Sequence, residues 1–470
     1  MFLILQNPIY LILVGASLAA FAMLAWRRFD FSLALVLFSA PLYLLKIIIV
    51  GLPLTVLELL ILVIFIVWLI KKAKSGAPPT GVGGTSYFGG GAEPRTEGLR
   101  ANHSSTGRSR WPSGALGNFL LGSFKKINFW EFWLPILLIL AGILIATIFS
   151  SDVKTSAGIL KSWFIEPIIF GIVLIDAVGT KKQVGKLMHA ILFSGTLAAT
   201  ISLGYLPTSQ LTFDGRLRAF FLSPNQLAMY LAPSILICLG FLLQNKNKRW
   251  RHAAAWCALP LAISFYFTFS YAAWFGVLVA LAIMFFVFAK WQGDKTKKAL
   301  LACLLLLAIL IALFGYLQWR SPKLSDLLYS SRSSFQSRLM IWRSALEILK
   351  AHWFLGVGPG LFQKYYLEFQ KYFPPYLEWA VPQPHNLFLA FWLQTGLIGL
   401  AGFVLLLINL FRKTLKSLFK TKQPLLLILA AVVIYILVHG LADTTYWKND
   451  LALIFWAVIS LSYRAAHLRD

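Results

Sequence analysis

"HNLFLAFWLQTGLIGLAGFVLLLINLFRK", residues 385–413, decides the class of this chain. From Leu387 to Leu410 it carries no charged side chain. About 20 apolar residues cross a hydrocarbon layer of roughly 30 Å, so the run is long enough to span a membrane. Inside lipid every backbone N–H and C=O must be satisfied within the segment, which makes the run a helix. Pro384, His385 and Asn386 stand at its mouth, and Arg412 and Lys413 follow its far end.

Such runs recur along nearly the whole chain: near 7–26, 31–50, 54–70, 132–149, 163–179, 184–205, 225–243, 253–270, 272–290, 299–317, 386–410, 424–441 and 450–464. The composition agrees. Of 470 residues 59% are hydrophobic and 13% charged, with a mean hydropathy of +0.74, whereas a soluble domain carries about a quarter charged residues. The short alternating segments of a transmembrane barrel are missing. The expected fold is an all-α polytopic membrane protein with about 12–13 transmembrane helices. The first run lacks the basic start of a cleavable signal, and Arg27 and Arg28 follow it, which puts the amino terminus outside.

The net charge of +26 brings nucleic acid to mind, but its distribution speaks for topology. Basic residues crowd alternate loops: Lys71, Lys72 and Lys74; Lys181, Lys182 and Lys186; Lys246, Lys248, Arg249 and Arg251; Lys290, Lys295, Lys297 and Lys298; Arg412, Lys413, Lys416, Lys420 and Lys422. This is the positive-inside pattern, and it places those loops in the cytoplasm, where they also attract anionic lipid. Cys238, Cys257 and Cys303 all fall inside predicted spans without metal-ligand spacing, and read as small packing residues.

Five regions follow: amino-terminal spans at 1–70, a cytoplasmic low-complexity insertion at 71–131, a central bundle at 132–317, an extracytoplasmic loop at 318–384 and carboxy-terminal spans at 385–470. Residues 75–118 are rich in Gly, Ser, Thr and Pro, bury too little apolar surface to fold, and are expected to be disordered. Their glycines at 83, 84 and 89–91 have neither a preceding strand nor a following Gly-Lys-Ser/Thr, so they form no phosphate loop. The 318–384 loop reads as folded. Phe335, Leu339, Trp342, Leu346 and Leu349 make one apolar stripe at helical spacing, to lie on the bilayer or over the spans. "GVGPG" at 356–360 breaks the chain, and a second aromatic helix runs to Pro374 and Pro375.

Outward-facing arginines are what topology leaves unexplained: Arg216 and Arg218, then Arg320, Arg332, Arg338 and Arg343. Single ones pair with lipid phosphates or with Asp214 and Glu347; as a group, their planar forks suit a pyrophosphate presented at the outer leaflet, such as a polyprenyl diphosphate. Of the seven histidines, His352, His385 and His439 fall near the outer face. A neutral imidazole accepts a proton from an attacking hydroxyl near neutral pH. The plainer reading of His385 and Asn386 is a helix cap, and the two roles are compatible. No histidines and carboxylates stand at zinc-binding spacing.

Four stretches make the chain similar to the O-antigen ligase and polymerase superfamily of bacterial membrane glycosyltransferases: "LKSWFIEPIIFGIVL" at 160–174, "GRLRAFFLSPNQLAMYLAP" at 215–233, "SRLMIWRSALEILKAHWFLGVGPGLF" at 337–362 and "PHNLFLAFWLQTGLIGL" at 384–400. In two places the chain departs from the family pattern. Tyr271 stands where an arginine is common, and Gln394 where a glutamate is common. The resemblance implies a GT-C-like helical fold and glycosyl transfer without a cofactor or metal, from undecaprenyl diphosphate to a lipid or glycan acceptor at the outer face of the cytoplasmic membrane. The ligase reading leads, ahead of a surface-polysaccharide polymerase and a protein O-oligosaccharyltransferase. It implies His385 as general base, with Arg216 and Arg338 on the developing diphosphate charge. Arg218, Asn225, Trp342, Arg343, Asn386 and Glu166 are the further substrate-binding candidates, Glu166 as the holder of a neighbouring arginine. Trp342, Tyr365 and Tyr366 offer sugar stacking or interfacial anchoring. A solute transporter is the competing class, with Lys46, Glu58 and Glu166 as its in-span groups.

Overall fold

A computed structural model describes residues 3–5, 8–49, 52–75, 129–208, 210–244, 248–291, 334–373 and 379–468, with isolated positions between 305 and 316. Most of the predicted span at 299–317, nearly all of the insertion, Cys303, Arg320, Arg332, Pro374 and Pro375 lie outside the described residues.

The chain is an all-α bundle. Its helices are α1 (Pro8–Arg27), α2 (Phe29–Phe38), α3 (Val56–Ser75), α4 (Leu134–Ile148), α5 (Val153–Ile159), α6 (Glu166–Ala177), α7 (Lys181–Leu203), α8 (Pro224–Gln244), α9 (Lys248–Phe267), α10 (Tyr271–Trp291), α11 (Ser334–His352), α12 (Phe362–Phe369), α13 (Leu387–Thr421), α14 (Pro424–Gly440) and α15 (Asn449–His467). A wide turn at Leu160–Ile165 joins α5 and α6 into one rod. Seven of the described rods are long and apolar enough to cross a membrane, and α2 and α14 are shorter apolar helices. The chain is a multi-pass membrane protein.

One predicted span is corrected. Residues 31–50 are not a single helix. α2 stops at Phe38, and Pro41, which cannot donate to a helical ladder, falls in a tight turn at Ala40–Leu44. The chain then forms a small sheet: β1 (Leu3–Leu5) parallel to β2 (Leu45–Ile49), and β2 antiparallel to β3 (Leu52–Thr55), with Lys46 opposite Thr55. The β-branched run Ile47–Ile49 suits a strand.

Burial sorts the helices. α14 and α15 are buried nearly all round and form the centre, as helices apolar on every face must. α1 leaves Ile9, Ile12 and Leu13 exposed on the outside of the bundle. Small residues set the closest contact. A Cβ on Gly142 of α4 would collide with the Gly399 backbone of α13, and one on Gly402 would collide with that of Ile139. Close backbone approach through small residues is how helices associate where lipid removes the hydrophobic drive.

α13 breaks at Gly396, whose φ of 68° and ψ of −177° no other residue adopts cheaply. The "GVGPG" loop is stitched into that break. Leu397 N donates to Phe354 O at 2.9 Å and Val357 N to Leu393 O at 2.6 Å. Gly356, at φ 72°, lies so close that a Cβ would strike the Leu393 carbonyl. A satellite core of Ile341, Ala345, Ile348, Phe362, Tyr366 and Leu393 then clamps α11 and α12 onto α13.

The face of α11 that packs inward coincides only in part with the predicted stripe. Phe335 and Leu346 are half exposed, while Ser337, Met340, Ile341, Ser344, Ala345, Ile348 and Leu349 are buried. Of the predicted stripe Leu349 is buried and Leu339 and Trp342 are half-buried, so the inward face is rotated only partly away from it.

Candidate functional site

The amino-terminal ends of α8, α10 and α13, the carboxy-terminal ends of α9 and α14, and the first turns of α11 meet at one end of the bundle. There they enclose a cavity of about 190 Å³, lined by Arg216, Asn225, Tyr271, Ser337, Arg338 and His385 among others. Three segments far apart in the chain deliver the candidate base and the two leading arginines to one space.

Each is held by named partners. Arg216 Nε donates to Thr268 O at 2.8 Å and its Nη2 to Asn225 Oδ1 at 2.7 Å. Asn225 passes the contact on, its Nδ2 donating to Asp443 Oδ2 at 2.9 Å. His385 Nδ1 lies 3.0 Å from Asp443 Oδ1, and Arg338 Nη2 lies 4.0 Å from Asp443 Oδ2. Arg338 Nε is buried without a hydrogen-bond partner. Trp342 Nε1 donates to the His385 carbonyl at 3.3 Å, so this indole positions the histidine's backbone.

Asp443 is the hub of the cluster and is absent from the candidates named from sequence. A signal for it existed. The chain has only 17 acidic residues, and this one follows the outward end of a predicted span. Its side chain is 3% exposed. Burial alone would raise its carboxyl, but the charge and hydrogen bond of His385, with His439 and Arg338 behind, hold it well below the usual carboxylate range. Burial lowers the Arg216 guanidinium, with Asp214 opposing and the like charge of Arg338 lowering it further; arginine stays charged regardless. Two guanidinium groups crowd one small cavity whose lining, among the described residues, holds no carboxylate, and Asp443 behind it is already engaged, which makes the cavity a receptor for an anion.

The backbone is strained here. Among the described residues four other than glycine have positive φ, and three lie in the segments that build the site: Ala219, Phe269 and His385, the last at 46°. Left-handed non-glycine residues persist where the surroundings over-determine them.

The remaining candidates fall elsewhere. Arg218 and Arg343 are exposed and do not line the cavity. Asn386 caps α13, its Oδ1 accepting from Phe388 N and Leu389 N at 3.0 Å while its Nδ2 donates to Leu441 O. Among the described residues no arginine pairs with Glu166; it lies by Glu58 and Lys161, with Oε2 buried and unpartnered. Tyr366 is fully buried in the satellite core, and Tyr365 packs edge-on against His352, so neither reaches the cavity. Of the groups proposed for transport, Lys46 sits on β2 and Glu58 in the first turn of α3, where it accepts from Lys161 Nζ at 2.9 Å. Cys238 and Cys257 are buried free thiols.

The two departures are accommodated. Tyr271 lines the cavity and meets Trp274 edge-on. Gln394 Oε1 accepts from Gly360 N at 2.8 Å and its Nε2 donates to Gln383 Oε1 at 2.7 Å. A carboxylate lacks that second donor, so the amide is the side chain this position needs.

Among curated proteins none matches the chain. Residues 253–404 match the family described as O-antigen ligase, a segment that includes Tyr271, Arg338 and His385 and stops short of Arg216, Asn225 and Asp443 at either side. The membrane-crossing helices and this match over residues 253–404 make the chain similar to the O-antigen ligase family and support a glycosyltransferase-like function of ligase or polymerase type.

Proposed function

We propose that the chain moves a glycan from undecaprenyl diphosphate to an acceptor hydroxyl, as an O-antigen ligase does. The observation that carries this reading is the sharing of one cavity by Arg216, Arg338 and His385. With Nδ1 engaged by Asp443, the imidazole presents Nε2 as the free ring nitrogen. A carboxylate behind a histidine fixes its tautomer and stabilises the imidazolium that forms. The acceptor oxygen attacks the anomeric carbon and its proton passes to His385 Nε2. The bond from that carbon to the diphosphate oxygen breaks, and the leaving charge falls on phosphate oxygens. Arg216, held by Thr268 and Asn225, and Arg338, whose Nη2 lies 4.0 Å from Asp443, stabilise that charge. The cavity's two cations take over the task a metal has in other diphosphate chemistry.

The basic loop ends support an extracytoplasmic reaction at the cytoplasmic membrane. Lys72 and Lys74 end α3, Lys181 and Lys182 begin α7, and Lys420 ends α13, whose opposite end carries His385. The positive-inside rule puts those ends in the cytoplasm and the cavity outside.

The test replaces His385 with Ala and Arg338 with Ala in cells making a surface polysaccharide. Loss of product from both is expected, and unchanged product from both refutes the assignment. The product that disappears also decides the acceptor: glycan joined to lipid A–core sugar for a ligase, lengthened lipid-linked glycan for a polymerase.

A further inference from the structure

A second large recess lies at the other end of the bundle. α2 and α7 diverge there beside the end of α1 and leave a groove of about 1000 Å³. Its depth follows from the helices. Ser264 of α9 bonds Ala199 of α7, and one turn beyond Ser264 the Thr268 carbonyl holds Arg216. Lys186 lies thirteen residues down α7 from Ala199, about 20 Å at the helical rise. The groove is therefore remote from the candidate site and independent of its chemistry.

Its lining is polarised. Arg27, Arg28 and Lys186 stand at the mouth, all exposed, and none makes an ion pair among the described residues. The single acid there, Asp30, already accepts from Gln183 Nε2 at 2.8 Å. Inward the walls turn apolar: Leu35 and Phe38 from α2, Phe193 from α7. From Asp30 to Phe38 the wall runs about 12 Å. The groove closes where Ser194 Oγ bonds the Phe38 carbonyl at 2.5 Å.

We propose that this groove binds one anionic glycerophospholipid, its phosphate held by Arg27, Arg28 and Lys186 and an acyl chain running between Leu35, Phe38 and Phe193. The mouth carries three cations against one engaged carboxylate, so a zwitterionic headgroup leaves charge unmatched. The apolar wall behind the charges has nothing to offer a free phosphate. A lipid with a net negative headgroup satisfies both halves, and basic recesses between transmembrane helices suit such headgroups.

The experiment is native mass spectrometry of the full chain in detergent, with phosphatidylglycerol, phosphatidylethanolamine and soluble glycerol 3-phosphate as probes. One phosphatidylglycerol is expected to survive activation that strips phosphatidylethanolamine. Each cation near a surface is worth about fivefold toward anionic lipid, so Arg27→Gln, Arg28→Gln and Lys186→Gln combined are expected to cut retention more than about tenfold. Ala34→Phe narrows the apolar part of the groove and keeps every charge; it is expected to cut retention as well, and decides the matter should the triple variant not fold. Equal retention of both lipids, displacement by glycerol 3-phosphate, or undiminished phosphatidylglycerol in the folded variants overturns the proposal.

Discussion

Asp443 Oδ1 lies 3.0 Å from His385 Nδ1, while its other oxygen accepts from Asn225, whose own carbonyl holds Arg216. One buried carboxylate thus fixes the candidate base and, through an amide, an anion-binding guanidinium. Changing Asp443 therefore disturbs both halves of the proposed reaction.

Asp443→Asn keeps the shape and removes the charge. The His385 tautomer is then no longer fixed, and the imidazolium loses its counter-charge. Turnover is expected to fall by about 10²-fold or more, within the range general-base catalysis contributes. Steady-state kinetics of the purified protein with a lipid-linked glycan checks this; unchanged kcat contradicts the dyad.

Arg338→Gln and Arg216→Gln each remove a donor fixed before the reaction. A loss of about 10²–10³-fold in kcat is expected for each. Arg218→Gln and Arg343→Gln change exposed side chains outside the cavity and are expected to leave kcat within about twofold, as surface substitutions do. The same assay on all four separates cavity from surface arginines.

The Asp443 carboxyl binds protons less readily folded than unfolded. Its contribution to stability is therefore complete above its unfolded pKa, about 3.9, and is lost as pH falls below that value toward the depressed folded one. Thermal unfolding in detergent is expected to show Asp443→Asn less stable than the parent at pH 7, with the gap closing as pH falls below about 4. A gap independent of pH contradicts the assignment.

Gly396→Ala places a Cβ against the Phe354 carbonyl at 2.5 Å and forces alanine into a conformation reserved for glycine. Destabilisation of about 2 kcal/mol or more is expected. Gly158, in α5 with open space around it, is the control: Gly158→Ala is expected to be neutral or to stabilise by about 0.5–1 kcal/mol. Melting temperatures of the two variants provide the comparison.

Among the described residues no carboxylate lines the cavity, and Asp443 behind it is already engaged by His385, Asn225 and Arg338. Divalent cations prefer several oxygen ligands, so the proposed transfer is expected to continue undiminished in excess chelator. Loss of activity on chelation, restored by magnesium or manganese, would reassign the diphosphate contact from arginine to metal.

The bundle was legible because lipid simplifies the problem. A long uncharged run has one way to satisfy its backbone, and basic ends report orientation. Arg216, Arg338 and His385 were legible as charges in places topology does not require. The 31–50 run was misread because periodicity does not separate a helix from a short helix, a turn and a β-branched strand. The α11 stripe was legible in part, because helical spacing marks one side of a helix but does not record which of its members neighbouring helices cover.

The amino-acid sequence by itself determined that the chain crosses a membrane many times, which loop ends are basic, and which arginines and histidine stand out. Only the tertiary structure decided that Asp443, 218 residues from Asn225, closes the circuit between Arg216 and His385. It also decided that Glu166 serves another cluster, whereas the Asn386 cap was already legible from the sequence. The physical reason is range: helix formation and lipid partition are settled within a segment, whereas a charge network forms where unrelated helix ends converge, and no local pattern records which ends those are.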